Sequence, residues 1–180
     1  GGHDVSATFV GDASLSSRPM ERVLKPLREM GVRADTAPGG KLPAVIRGGQ
    51  LKAIRYAPPE ASAQVKSAVM LAGLCAEGVT IVEEKEATRD HTERMLRAFG
   101  VEVGVEERKG AGPVISVRGG QTLQGMAAAV AGDPSSAAFA IALALVSGEG
   151  EATVTGMLDN RTRTGFLDAA MAMGASLRRE

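Results

Sequence analysis

The chain has 180 residues, 21 basic against 21 acidic side chains, and 44% hydrophobic residues. This is the profile of a soluble globular protein long enough to bury a core without disulfide or metal, and its neutral balance gives no reason to expect nucleic acid or an anionic membrane as partner. The lone cysteine, Cys75, excludes an intrachain disulfide, and the longest apolar stretch, 137–146, is about half of a bilayer span, so the expected compartment is the cytoplasm. With only 3% aromatic residues and no tryptophan, the core must be built from Ala, Val, Leu, Ile and Met, which suits helices lying on sheets.

In chain order the pattern predicts a strand around Ala7 to Val10, then a helix over Pro19 to Met30 opened by Ser16 and Ser17. That helix carries Met20, Val23, Leu24, Leu27 and Met30 on one stripe, although Pro26 should bend it. A strand follows at Val32 to Asp35. The next module reads as a helix from Ser62 to Glu77 closed by Gly78, a strand Val79 to Glu83, a helix Arg89 to Phe99, and strands Val101 to Glu106 and Val114 to Val117. Cys75 falls on the first of these helices, where a buried structural thiol is expected. A third stretch predicts a helix Pro134 to Val146, apolar all round and so buried, with Asp133 as its cap. Strand Ala152 to Thr155, helix Arg163 to Met173 and strand Ala175 to Leu177 follow.

A recurring helix end organises these elements. Leu27-Arg28-Glu29-Met30-Gly31, Leu96-Arg97-Ala98-Phe99-Gly100 and Met171-Ala172-Met173-Gly174 each lead into a short alternating segment, and their glycines lie 69 and 74 positions apart. Periods near 70 are too long for the usual solenoid repeats and favour a few α/β modules sharing a core. Since both chain ends fall inside a module, the sequence is expected to be part of a longer protein.

Three helix openings place hydroxyl, amide or guanidinium groups where unpaired N–H groups and the positive end of the dipole point: Ser16-Ser17-Arg18-Pro19, Ser62-Ala63-Gln64, and Thr88-Arg89-Asp90-His91. Helix starts of this kind hold anions, and the alternative at each is plain capping. Arginine at two of them opposes the dipole, which favours an anion between. His91 beside Asp90 reads as capping and ion pairing. Lys66 and Ser67 follow the second opening, and helical spacing turns at least one of them away from a ligand there.

Four strings carry a resemblance: Gly11-Asp12-Ala13-Ser14-Leu15-Ser16-Ser17-Arg18-Pro19-Met20, Ala61-Ser62-Ala63-Gln64-Val65-Lys66-Ser67-Ala68, Thr88-Arg89-Asp90-His91-Thr92-Glu93-Arg94-Met95-Leu96, and Gly132-Asp133-Pro134-Ser135-Ser136-Ala137-Ala138-Phe139. In this order they resemble successive signatures of bacterial 5-enolpyruvylshikimate-3-phosphate synthases, over essentially the whole chain. The resemblance implies an α/β fold of repeated βαβαββ modules in two lobes, an inside-out α/β barrel. Residues 1–127 would be two modules of the first lobe and 128–180 the partial start of the second. It implies transfer of the enolpyruvyl group from phosphoenolpyruvate to the 5-hydroxyl of shikimate 3-phosphate through a tetrahedral adduct, a step of aromatic amino acid biosynthesis that uses no metal or organic cofactor.

Carried over by position, Ser62 matches a phosphate contact of shikimate 3-phosphate, Ala63 and Gln64 continue that opening with Gln64 on the ring, Arg89 matches a second phosphate contact, and Arg18 matches an arginine gripping phosphoenolpyruvate. Arg161 departs from the family's usual proline in Asp159-Asn160-Arg161-Thr162-Arg163-Thr164-Gly165, which puts the shape of that loop in doubt. The family's other catalytic groups have no matching positions, so the chain alone is expected to lack transferase activity and to depend on further segments of the same protein, or to pair with a second copy. Two rivals remain at this level: a UDP-N-acetylglucosamine enolpyruvyl transferase, disfavoured because no reactive-cysteine loop surrounds Cys75, and a non-catalytic anion-binding α/β domain.

Overall fold

Three helices end on one hydrogen-bond pattern in the computed structural model, which describes residues 2–148 and 150–179. They are α2 (Glu21–Glu29), α4 (His91–Ala98) and α6 (Gly165–Ala172). After each, a left-handed glycine donates to the carbonyl three residues back, and the next residue donates to the carbonyl five back. The outer bonds are Val32 to Leu27 at 3.0 Å, Val101 to Leu96 at 2.9 Å and Ala175 to Ala170 at 3.0 Å. Gly31, Gly100 and Gly174 have φ of 112°, 81° and 97°, which L side chains rarely adopt. In unit 1 the hydrophobic pairs that flank these turns belong to the core, so each cap also seats its helix.

The chain divides into two units, residues 1–126 and 127–180. The first contains β1 (Ser6–Phe9), α1 (Ala13–Ser16), α2, β2 (Arg33–Ala37), β3 (Lys41–Arg47), β4 (Leu51–Lys52), β5 (Arg55–Tyr56), α3 (Ala63–Gly73), β6 (Ala76–Glu77), β7 (Val79–Glu83), α4, β8 (Val103–Glu106) and β9 (Val114–Arg118). β1, β2 and β3 pair antiparallel in the order β1-β3-β2, and β7, β8 and β9 repeat it as β7-β9-β8. In both, a helix joins the first strand to the second and the third strand inserts between them. β5 adds to β7 in parallel across α3. The run β5-α3-β7-α4-β8-β9 is thus one complete βαβαββ module, and the predicted α/β class with repeated modules holds.

The core lies where α3 meets this sheet. Val65, Val69 and Met70 of α3 join Val82, Ile115 and Val117 of the strands, with Met30, Val32, Leu96 and Val101 closing the sides. Gly73 permits the close seat, because a Cβ there would stand 2.8 Å from Thr80 Cβ and 3.0 Å from Val117 Cγ1.

Several expectations need correction. α3 does not run to Glu77 but gives way to β6 after Leu74, since Leu51 and Lys52 offer Ala76 and Glu77 a parallel ladder. Gly78 therefore separates two strands and does not cap a helix. Having left the helical stripe, Cys75 is exposed and not buried. Ser16 and Ser17 end the one-turn helix α1 and do not open α2: Asp12 caps α1 by accepting the Leu15 N–H at 2.7 Å, and the two serine hydroxyls donate to Gly11 and Ser14 carbonyls. Pro26 sits inside α2, which continues through it with the ring buried.

The second unit holds α5 (Pro134–Ser147) and α6. Among its described residues neither Ala152 to Thr155 nor Ala175 to Leu177 forms a strand, and the one extended pairing is a parallel bridge between Gly132 and Met157. A strand needs a hydrogen-bonded neighbour, and none stands beside these segments. α5 is not buried as its composition suggests: Phe139 and Val146 are 82% and 80% exposed, and Pro134 is its one buried residue.

Gly100→Ala should destabilise the first unit by about 1–2 kcal/mol, the usual penalty of a left-handed L residue, read as a lower urea midpoint with unchanged slope.

Candidate functional site

In the first unit, side-chain bonds tie together the first turns of α2, α3 and α4. Ser62 caps α3 from an extended conformation (φ −149°, ψ 104°), and its Oγ accepts the Val65 N–H at 3.4 Å. Because the hydroxyl serves this contact as acceptor, its proton remains to donate outward. Ala63 starts the helix and Gln64 is exposed beside it. Arg22, in the first turn of α2, donates from Nη2 to Gln64 Oε1 at 2.8 Å, so Gln64 presents its amide nitrogen as the remaining polar group.

A second set of bonds links α3 to α4. Ser67 Oγ and Thr92 Oγ1 lie 2.6 Å apart, and Ser67 also donates to the Ala63 carbonyl at 2.7 Å. Lys66 Nζ lies 3.1 Å from Glu84 Oε2 and 2.7 Å from Glu93 Oε1, with all three side chains at most 5% exposed. The Glu84 carboxylate also accepts the Thr88 hydroxyl, and the Thr88 N–H at 3.4 Å. Thr88 is therefore engaged by Glu84 and does not cap α4, whose N-cap position is Asp90. Asp90 pairs with Arg94 at 2.6 Å, and His91 Nδ1 lies 3.9 Å from Asp90 Oδ1, a contact that is an ion pair only when the imidazole is protonated.

The five expected site residues fall as follows. Ser62, Ala63 and Gln64 are contiguous at the α3 opening. Arg89 is half-buried in the short loop before α4, one residue after Thr88, and the Lys66 and Ser67 contacts bring that loop's helix beside α3. Arg18 is exposed in the turn between α1 and α2, and its N–H donates to the Leu15 carbonyl at 3.1 Å. Among the described residues neither the Arg18 nor the Arg89 guanidinium has a hydrogen-bond or ion-pair partner. No direct bond joins Arg18 to the other four.

Sequence reasoning missed Arg22, Glu84 and Glu93; of Lys66 and Ser67 it expected at least one to turn away from a ligand at the opening, and both are engaged within the fold. The signal for the buried trio was present. Thr80, Val82 and Glu84 alternate on the buried face of β7, Glu93 precedes buried Leu96 by one helical turn, and Lys66 shares a face with Val69, Met70 and Gly73.

The second unit has its own opening at α5. Asp133 caps it by accepting the Ser135 N–H at 3.2 Å and the Ser136 hydroxyl at 3.3 Å. Arg163 forms an ion pair with Asp133 and donates to Ser135 Oγ at 2.9 Å. The loop carrying Arg161 is a turn in which Asn160 Oδ1 accepts the Thr162 N–H and hydroxyl at 2.9 and 2.8 Å, a shape that needs no proline.

With this geometry in hand, comparison with known proteins decides the family. The model of the EPSP synthase (3-phosphoshikimate 1-carboxyvinyltransferase) family matches residues 1–180. The chain belongs to the EPSP synthase family. A 3-phosphoshikimate 1-carboxyvinyltransferase of Hyphomonas neptunium is 57% identical over 177 residues, covering 98% of this chain and 40% of the relative. Its counterpart in Phenylobacterium zucineum is 57% identical over 176 residues, covering 98% and 39%. A solved EPSP synthase of Acinetobacter baumannii superposes with a TM-score of 0.80 at 48% identity, covering 96% of this chain and 38% of that one. The chain thus spans about 40% of the length of the curated EPSP synthase relatives it matches.

The α5 opening yields a pH prediction. The Arg163 hydrogen bond, followed by the Ser135 N–H, holds the Asp133 carboxyl below its ordinary range. A lowered folded value means stability that is complete above the unfolded pKa of about 3.9 and is lost as pH falls through the lower folded one. Protection of the first-turn amides of α5, taken against their intrinsic exchange rates at each pH, should therefore fall as pH drops through that range, and Asp133→Asn should abolish this dependence.

Proposed function

We propose that the protein to which this chain belongs transfers the enolpyruvyl group of phosphoenolpyruvate to the 5-hydroxyl of shikimate 3-phosphate, giving 5-enolpyruvylshikimate 3-phosphate and phosphate on the route to chorismate. In this reading residues 1–127 belong to the first lobe of the enzyme and 128–180 begin the second. The Ser62 hydroxyl and the Arg89 guanidinium bind the 3-phosphate, the Ala63 N–H adds the positive end of α3, Gln64 donates to a ring hydroxyl, and Arg18 holds phosphoenolpyruvate. The cytoplasm is the assigned compartment, and no helix among the described residues is long and apolar enough to cross a membrane.

The observation that carries this reading is the set of bonds Arg22 to Gln64, Ser67 to Thr92 and Lys66 to Glu93, which makes neighbours of three helix starts from two repeated modules. Neighbouring helix starts sum their outward N–H dipoles, and an arginine without a partner among the described residues supplies the planar fork that a phosphate accepts. Bonding of Gln64 Oε1 to Arg22 turns the amide into a donor, which suits a hydroxyl oxygen. Gripping both substrates gives the reaction its orientation. The C5 hydroxyl gives up its proton to a base as its oxygen adds to C2 of phosphoenolpyruvate, and the methylene carbon takes a proton. The adduct then expels phosphate and returns a proton from the methyl group.

The groups gathered at these openings bind anions. Glu84 and Glu93 are turned inward onto Lys66 and Asp90 is paired with Arg94, so proton transfer is assigned to residues elsewhere in the protein.

Calorimetric titration of the 180-residue chain with shikimate 3-phosphate should give heat that disappears in Ser62→Ala/Arg89→Ala, while titration with a uridine nucleotide sugar gives none. Silence toward shikimate 3-phosphate with heat from the nucleotide sugar would reverse the assignment. The same chain mixed with both substrates should release no phosphate above background, and release at rates near 1 per second or faster, the ordinary range for enzymes, would show that it carries its own proton carriers.

A further inference from the structure

Directly behind the proposed phosphosugar site, three buried side chains take no part in binding. We propose that Lys66, Glu84 and Glu93 form a positioning device that fixes the α3 opening against the Arg89 loop, so that Ser62 and Arg89 can hold one phosphate together. This inference rests on the substrate reading above and adds three residues to it that touch no substrate.

Each leg of the cluster ends on an element that bears a binding residue or on one that flanks the Arg89 loop. Lys66 lies two positions after Gln64, Glu93 is in the first turn of α4, and Glu84 leaves the end of β7 to take both the hydroxyl and the N–H of Thr88, the residue immediately before Arg89. Glu84 is itself anchored, since its carbonyl accepts Arg108 Nη2 at 2.5 Å while Arg108 Nε donates to the Gly112 carbonyl at 2.8 Å. The Ser67 to Thr92 contact is a parallel strut one residue on. Ammonium and carboxylates thus join α3, β7, the Arg89 loop and α4 with directional bonds that an apolar contact would not supply.

The composition of the cluster argues against a purely stabilising role. Two carboxylates share one ammonium, and Glu93 Oε2 is buried without a hydrogen-bond partner. Lys66 sits on the helix face of Val69, Met70 and Gly73, where an apolar side chain of similar volume would pack. Buried ion clusters rarely stabilise more than such a replacement, whereas fixed register is a use for which they are attested. Relative placement of two binding groups matters because a displacement of about 1 Å between them is enough to weaken a shared grip many-fold.

The test uses the 180-residue chain, its Lys66→Met/Glu84→Gln/Glu93→Gln variant, and Thr88→Val, which removes the hydroxyl bond to Glu84 and leaves the cluster charged. NMR titrations with shikimate 3-phosphate and with inorganic phosphate are run on proteins shown to be folded by circular dichroism. Affinity for shikimate 3-phosphate should fall about tenfold or more in both variants, and the coupling between Ser62→Ala and Arg89→Ala present in the parent chain should vanish in the variant background. Inorganic phosphate carries no ring tied to Gln64 and can resettle between a displaced Ser62 and Arg89, so it should lose far less. A folded variant that binds shikimate 3-phosphate within about twofold of the parent overturns the positioning role and leaves the substrate reading standing. An equal loss for both ligands marks a general defect and also overturns it. If the triple variant does not fold, Thr88→Val decides. A parent chain that binds neither ligand at millimolar concentration sinks the substrate reading, and the inference with it.

Discussion

Lys66 at 1% exposure, held between Glu84 and Glu93, is the constraint on which the first unit's functional surface depends. An ammonium stripped of water has to find its partners, and here both belong to other elements. The result is that the start of α3, the end of β7 and the first turn of α4 have one permitted arrangement. The sheet and the glycine caps bring these elements near one another. The ion cluster sets how their polar ends face.

The caps explain why the same local geometry recurs. Each of α2, α4 and α6 ends on a glycine with positive φ whose following N–H returns to the last turn, so the chain leaves these three helices through the same hydrogen-bonded turn. In the first unit the strand that follows pairs with a third, inserted strand, and the order β1-β3-β2 recurs as β7-β9-β8. In the second unit α6 has the cap, but no strand forms after it among the described residues. A local cap can aim the chain. It cannot supply the hydrogen-bonding neighbour that makes an extended segment a strand.

Much of this was legible from residues alone. Gly31 and Gly100 announced the helix ends, Val79 to Glu83 was located at its true bounds, and Ser62 was recognisable as a cap. The misreadings share a cause. A serine hydroxyl can serve the end of one helix as well as the start of the next, so Ser16 and Ser17 did not reveal that Asp12 was the cap. The apolar composition of α5 stated what it could bury and not what lies against it. Cys75 followed a helical stripe on paper and left it in the fold, because the short ladder of Ala76 with Leu51 competes with another helical turn. Glu84 and Glu93 could have been found by extending the buried alternation and the helical period onto charged residues, which hydrophobic pattern reading passes over.

In the proposed site, neighbouring helix starts fixed by a buried ion cluster grip a single phosphate. The most direct measurement is a crystal structure of the chain soaked with shikimate 3-phosphate. The expected result is one phosphate within hydrogen-bond distance of both the Ser62 hydroxyl and the Arg89 guanidinium, with the Gln64 amide nitrogen on the ring. A phosphate seated on only one of those two groups, or on another surface altogether, would contradict it.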